Sequence, residues 1–446
     1  VATSSRTLAT ARPSDIKVLG SEVTYRPVRY TTPLVLSSGP ITHVTEAAVE
    51  VVVENRAGQV ARGLGTVQLS HPWAYKTPPH PQEHGPRDRE AVMREITRRI
   101  TALLSELPEP ADPVRLGVLL HDAVPGLLSE VRRALGLVEE IPLLAGQVCL
   151  AAADIALHDA WSRAIGRPAY ELYTADHLGS DLGAQLGPAF DGRHIGDFLR
   201  PRPRRRLPVL HVVGGADPLT ASDASTGHVP LTEWVRQDGS HWFKIKLVGA
   251  DPREDARRIT DVHTVATAAL PAGAPPVRLT VDPNEAYSDA SQLAAVLDQL
   301  EPVVEEAVVY AEQPVARQAD PAAAHLAGTA VRLPLVVDEG CVDARDLDSL
   351  AAHGWSGVAV KTGRGGQTQA LLAYSWARRH GRFAAMADLT CVGAALTHQA
   401  ALASWLECSV PCLEANSRQY APEAGPLLPV RDGAFDLAEL PAEGVR

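Results

Sequence analysis

Between Leu207 and Leu413 the chain repeats one phrase eight times. A short apolar run, rich in β-branched residues, is followed in nearly every case by a segment whose apolar residues recur at helical spacing. The runs are Leu207–Val213, Trp242–Leu247, Val277–Val281, Ala307–Ala311, Leu333–Val337, Gly357–Val360, Arg382–Met386 and Ser409–Leu413. Ala256, Ile259, Val262 and Ala266 typify the segments between them. A run that is apolar at successive positions is buried on both faces, as in a parallel sheet covered by its crossover helices. Eight such units predict a closed parallel β/α barrel. An open dinucleotide-type sheet would want a G-x-G-x-x-G pattern after its first strand, and none follows Val213.

The stretch before the barrel reads as α+β. Residues 1 to about 15 are small and polar, a disordered start. Glu22–Tyr30, Glu46–Glu54 and Gln59–Leu69 read as an antiparallel meander with a turn at Asn55–Gly58. A Pro- and His-bearing loop then runs from Ser70 to about Arg87, long enough to suggest function, and offers His71, Trp73, Tyr75, Lys76, His80 and His84 to a ligand. Asp88 can cap a helix carrying Val92, Ile96 and Ile100, and a second helix covers about Pro113 to Leu135. Val148 to Ile165 reads as a long Ala-rich helix containing Asp154 and Asp159. The expected organisation is a capping domain over 1–145, a barrel over 146–430, and a tail over 431–446 that returns to the cap.

Composition narrows the partners. A net charge of −11 disfavours nucleic acid and anionic membranes. Arg202–Arg206, set among prolines, reads as a solvated loop. Five cysteines without paired zinc spacing read as buried thiols of a reducing compartment. No apolar run is expected to span a membrane and the N-terminus lacks signal-peptide order, so a soluble, cytoplasmic protein is expected.

In such a barrel the C-terminal ends of the strands build the site. Those ends carry Lys244 and Lys246, Asp282 with Asn284, Glu312, Asp338 with Glu339, Lys361, Asp388 and Glu414. The chain has five lysines against thirty-seven arginines, and three of the five stand here. Arg stays protonated in a protein, whereas a desolvated Lys can serve as a base, so a retained Lys suggests chemistry that Arg cannot do. A single acidic strand end is commonly a helix cap. Three on successive strands, between flanking lysines, suit a hard divalent cation such as Mg²⁺, with Mn²⁺ as a substitute. Lys246 and Lys361 would face each other across a ligand on that cation, one base on each side of a carbon next to a bound carboxylate. Lys244 shares the face of Lys246 and can add positive charge beside it.

At these residues the chain resembles the enolase superfamily, in its mandelate racemase/muconate lactonizing enzyme group. The motifs that carry the resemblance are Lys244-Ile-Lys246, Asp282-Pro-Asn284, Glu312-Gln-Pro314, Asp338-Glu339, and Lys361 before Gly363-Arg-Gly-Gly366, with Asp154–Asp159 and Gly166-Arg-Pro168 upstream. The resemblance implies a modified (β/α)₇β TIM-type barrel under an N-terminal α+β cap, a small carboxylate-bearing substrate and a homo-oligomer. It implies Mg²⁺ on Asp282, Glu312 and Asp338, with Glu339 as the competing third ligand. Lys246 and Lys361 become the expected acid/base pair, and Asn284, Glu339, Asp388 and Glu414 supporting or substrate-binding residues, joined from the cap by His71, Trp73 and Tyr75. The chain departs from the pattern where Gly63-Leu-Gly65 is followed by Thr66, and where strand seven offers Asp388 and Thr390.

The expected reaction is removal of a proton α to a carboxylate through a stabilised enolate, ending in racemisation, epimerisation, cycloisomerisation or dehydration. Two rivals remain at this level. A Schiff-base aldolase barrel would also want a desolvated strand-end Lys, without three acids in register. A silent family member would only bind its ligand.

Overall fold

The computed structural model describes residues 10–76, 86–107, 110–224, 228–320, 325–438 and 440. Strands β1 (Ile16–Leu36), β2 (Gly39–Asn55) and β3 (Val60–Gln68) form an antiparallel sheet in that order. The turn between β2 and β3 falls where the sequence puts it, with Asn55 Oδ1 accepting from the N–H of Ala57 at 3.1 Å and of Gln59 at 2.9 Å. Helices Pro86–Leu103, Pro113–Leu135 and Leu143–Ile165 complete the cap. The first starts before Asp88, which lies in its first turn and not at its cap, because Pro86 already has the φ of a first helical residue.

The helix Leu143–Ile165 is, against expectation, long and apolar enough to cross a membrane, but nearly all of it is buried inside the protein. Its alanines let a strand lie directly on it. A Cβ on Gly63 would fall 2.3 Å from Ala156 O, and one on Gly65 2.0 Å from Ala152 O. Small residues on both partners therefore set the distance between β3 and the helix.

Eight parallel strands follow: β4 (Arg206–Val213), β5 (Trp242–Lys246), β6 (Arg278–Asp282), β7 (Val308–Glu312), β8 (Leu335–Val337), β9 (Gly357–Val360), β10 (Phe383–Met386) and β11 (Leu413–Glu414). All eight predicted runs overlap a strand, the last only at Leu413 of a two-residue strand. β4 to β10 pair in chain order and β11 returns to β4. Ser409 N–H closes the remaining gap by donating to Ala384 O on β10 at 2.8 Å. Helices such as Pro252–Ala269, Gly366–His380 and Gly393–Trp405 connect the strands. Tyr310, Val336, Ala359 and Cys412 belong to a small cluster inside the ring. Because side chains alternate with period two, Glu312, Asp338, Lys361 and Glu414, each two residues further on, share that inward direction at the mouth.

The described residues of the tail lie against the barrel. β12 (Val430–Arg431) and β13 (Ala434–Asp436) form a hairpin, and β13 runs antiparallel to the start of β4 with Phe435 opposite Leu207. Two-residue β11 leaves the first half of β4 with an open edge, which this hairpin covers while burying Phe435 and Leu437. All five cysteines are free, and four of them are buried.

Candidate active site

Lys244 and Lys246 share the inward face of β5, and Lys246 is in register with Asp282 on β6. Lys246 Nζ lies 2.5 Å from Asp282 Oδ2. Lys244 Nζ lies 3.1 Å from the same oxygen, 2.8 Å from Glu312 Oε1 and 2.9 Å from Glu414 Oε2. Across the mouth, Lys361 Nζ is 2.6 Å from Asp338 Oδ2, and Arg364 Nη1 donates to Asp338 Oδ1 at 2.6 Å. Every one of these side chains is buried.

Burial disfavours the charged form of each group, and the ion pairs oppose it. Burial would raise the Asp282 carboxyl, but Lys246 and Lys244 hold it below the usual range; Lys361 and Arg364 do the same for Asp338. Burial pushes Glu312 up to about 8 against the pull of Lys244, with Asp282 and Asp338 adding to the rise. Lys244, desolvated yet faced by Glu312, Glu414 and Asp282, is held protonated well above the ordinary range. It is a fixed cation neutralised by three carboxylates. The positive charge that the sequence reading directed at Lys246 is spent on them.

The loops after the strands are locked by polar contacts. Asn284 and Glu285, at φ 45° and 68°, both take the left-handed backbone, at a cost on the order of 1 kcal/mol each. Arg317 fixes Glu285 through contacts of 2.7 and 2.8 Å, and Asn284 N–H donates to Asp282 Oδ1 at 2.9 Å. Gln313 Oε1 accepts from the N–H of Asp338 at 2.8 Å and of Gly340 at 3.1 Å. On the Lys361 side, Asp154 of the cap helix accepts from Thr368 N at 2.8 Å and Thr368 Oγ1 at 2.6 Å. It thereby caps the helix Gly366–His380 from another element. A Cβ on Gly366 would sit 2.3 Å from Asp154 Oδ2, so this glycine is required for the docking. Arg364 was not singled out from the sequence; its only signal was its place within the glycine cluster.

The cap reaches into the mouth. Trp73 Nε1 donates to Glu339 Oε1 at 2.8 Å, an oxygen that Asn284 Nδ2 also approaches at 3.2 Å, and Lys361 Nζ stands 4.7 Å from the Trp73 ring centre. Lys76 pairs with Glu285 and donates to Asn284 O at 3.0 Å. Together the cap and strand ends enclose a cavity of about 40 Å³, lined by Lys246, Glu312, Asp338 and Lys361 on the barrel side and by Trp73 and the β1–β2 hairpin on the other. That volume holds a few waters and no substrate, so the site is closed.

Of the remaining sequence candidates, Lys244, Asn284, Asp388 and Glu414 line this cavity. Asp388 does so with both oxygens already accepting backbone N–H groups, of Leu389 and Cys391 on Oδ1 and of Asn416 on Oδ2. His71 and Tyr75 do not reach it. They line a neighbouring cleft of about 660 Å³, because the short helix His71–Ala74 turns Trp73 inward and its neighbours outward. His80 and His84 lie outside the described residues. Tyr30, Leu34, Leu36 and Ile41 of the hairpin line the cavity and were missed, since an apolar strand end reads as ordinary core.

Asp282, Glu312 and Asp338 end three neighbouring strands, and their oxygen donors suit a hard divalent cation. Glu339 Oε2 beside them is buried without a hydrogen-bond partner among the described residues. Among the described residues no three acidic, His or Cys side chains form a group that could hold an ion as they stand; Lys244 occupies the point where Asp282, Glu312 and Glu414 meet, and Lys361 holds Asp338. The donor set thus fits the cation in kind and position, with the lysine ion pairs as its competitors.

Residues 230–445 match the family model described as Enolase C-terminal domain-like. Comparison with curated proteins gave no match. Among solved structures, the L-Ala-D/L-Glu epimerase from Bacillus subtilis is 15% identical with TM-score 0.65, covering 96% of this chain and 97% of that one. A dipeptide epimerase from Enterococcus faecalis V583, complexed with Mg and L-Leu-L-Tyr, is 15% identical with TM-score 0.62, covering 96% and 99%. The 2-chloromuconate cycloisomerase from Rhodococcus opacus 1CP is 19% identical with TM-score 0.59, covering 96% and 95%. At these identities the likeness is one of fold.

Proposed function

We propose that this chain, whose residues 230–445 match the Enolase C-terminal domain-like family model, belongs to the mandelate racemase/muconate lactonizing enzyme group of the enolase superfamily and removes the proton α to the carboxylate of a small substrate. The carrying observation is that Lys246 and Lys361 line one cavity from β5 and β9, strands four places apart in an eight-stranded ring. A planar carbon held between them presents one face to each. Asp282, Glu312 and Asp338 would hold Mg²⁺, or Mn²⁺, which when bound offsets the negative charge that grows on the substrate carboxylate. The Mg in the dipeptide epimerase complex supports that choice.

Whichever of Lys246 and Lys361 is neutral takes the proton, and the other, as ammonium, gives one back on the opposite face. Two-faced traffic of this kind racemises or epimerises. If one lysine only stabilises charge, the same enolate ends in cycloisomerisation or loss of a β-substituent. Glu339, Asn284 and Arg364 orient the carboxylates, and Trp73 with the hairpin excludes water from the enolate.

Incubation with MgCl₂ in D₂O and a panel of N-acyl amino acids, dipeptides, acid sugars and muconate tests the reading by NMR of the α-proton. Exchange that disappears in EDTA is expected. Exchange that persists in EDTA, or in Glu312→Ala, would overturn it.

A further inference from the structure

The cavity wall opposite the lysines points to the class of substrate, an inference that rests on the proposed reaction at this site. That wall is built by Tyr30, Leu34, Leu36 and Ile41 of the β1–β2 hairpin and by Leu389 after β10. Leu34, Leu36 and Ile41 are 4 to 6% exposed and pack with Val212, Val392 and Tyr420 of the barrel rim in an apolar cluster of their own. None of the cap residues lining the cavity is charged.

The charged groups of the lining are already engaged. Asp388 receives three backbone N–H groups at 2.7 to 3.0 Å, Glu414 is held by Lys244, and Asp338 by Lys361 and Arg364. Among the described residues of the lining, what stays open is neutral. Oδ1 of Asn284 and Oδ1 of Asn416 are buried acceptors with no hydrogen-bond partner, and both residues face the cavity. A buried amide oxygen of this kind is satisfied by a neutral N–H or O–H donor.

We propose that the substrate is a monocarboxylate whose remaining substituents are neutral and largely apolar, with an amide N–H or hydroxyl to meet Asn416 or Asn284. A second carboxylate or an ammonium against the hairpin would be buried without a counter-charge, whereas an alkyl or aryl group gains from leaving water there. Since the closed cavity of about 40 Å³ admits no such molecule, the hairpin and Trp73 must draw back for entry. Ile41 and Asn284 also line the adjoining cleft of about 660 Å³, which makes Ile41 the boundary between wall and entrance.

The test is α-proton exchange in D₂O with MgCl₂, followed for both enantiomers of four matched probes. N-acetylleucine is neutral and apolar beyond its carboxylate, N-acetylglutamate adds an anion, N-acetyllysine a remote cation, and alanylleucine an α-ammonium. The expected result is a kcat/KM for N-acetylleucine at least tenfold above each charged probe. Equal or better exchange of a charged probe overturns the substrate class and leaves the proposed reaction standing. Absence of exchange with all four probes, when another acid of the wider panel does exchange, overturns the substrate class alone; absence across the whole panel overturns both. Ile41→Arg should cut the N-acetylleucine rate at least tenfold and raise that of N-acetylglutamate. Should Ile41→Arg fail to fold, Leu36→Arg serves the same comparison. An unchanged order of probes in the Arg variant would overturn the assignment of the wall.

Discussion

Trp73 donates its indole N–H to Glu339 Oε1 at 2.8 Å, joining two residues 266 positions apart in the sequence. One end of this bond belongs to the cap and the other follows a barrel strand. The seating of the cap and the orientation of the strand-end carboxylates are therefore coupled. The contact also explains how an otherwise poorly solvated carboxyl is kept: burial, with Asp338, Glu285 and Asp282 nearby, pushes Glu339 up to about 7.

Trp73→Phe keeps a ring near Lys361 but removes the donor to a buried carboxyl group, so it should destabilise the protein by about 1.5 to 3 kcal/mol. Trp73→Ala should cost about 3 to 5 kcal/mol, because the ring contact and its packing go as well. Urea unfolding at equilibrium reads both. A Trp73→Phe midpoint equal to wild type would show that the bond does not hold the cap down.

Lys244→Met leaves Asp282, Glu312 and Glu414 facing one another without their shared ammonium. In EDTA the variant should lose about 3 to 5 kcal/mol of stability. Added Mg²⁺ should restore more of that loss in the variant than it adds to wild type, as the cation replaces the missing charge. The same Mg²⁺ response in both proteins would separate Lys244 from the cation site.

The third ligand can be decided by calorimetric titration with Mg²⁺. Asp338→Asn is expected to weaken binding at least tenfold, and Glu339→Gln less than that. The opposite order would move the ligand one residue along the chain.

The two lysines should separate by stereochemistry. On any probe that exchanges, Lys361→Ala should retain α-deuteration of one enantiomer and Lys246→Ala that of the other. Arg at either position should be inactive as a base. An active Lys361→Arg enzyme would make that residue a fixed charge and leave Lys246 as sole base.

Burial holds the His71 ring down to about 4, with Glu90 pulling the other way, against about 6.5 when unfolded. Between those values the unfolded chain binds a proton that the folded one refuses. The stability tied to a neutral His71 is therefore complete above about pH 6.5 and is lost as the pH falls towards 4. From pH 7.5 to 5, wild type should lose about 1 to 2 kcal/mol more than His71→Gln, allowing for its partial solvent contact. Parallel losses in the two proteins would place the acid sensitivity elsewhere.

Much of the site was legible because its residues stand at fixed offsets from patterns that the sequence displays. Alternation of strands and helices predicts the barrel, and period-two alternation then aims Glu312, Asp338, Lys361 and Glu414 inward two residues beyond Tyr310, Val336, Ala359 and Cys412. Scarcity of lysine marked Lys244, Lys246 and Lys361. Such patterns reach only as far as one strand or helix. They carry no information on which distant groups meet, and the departures that shape the site are long-range meetings. Lys244 became a caged cation because Glu414, 170 positions away, closes on it. The tail went to β4 because a two-residue β11 left an edge open there. Trp73 entered the mouth while His71 and Tyr75 turned aside, a choice made by one turn of helix packed on the barrel. The sequence by itself determined the barrel and which residues stand at its strand ends, through local periodicity. Only the tertiary structure decided the pairing of charges and the apolar wall over them, because packing selects among partners that no local pattern distinguishes.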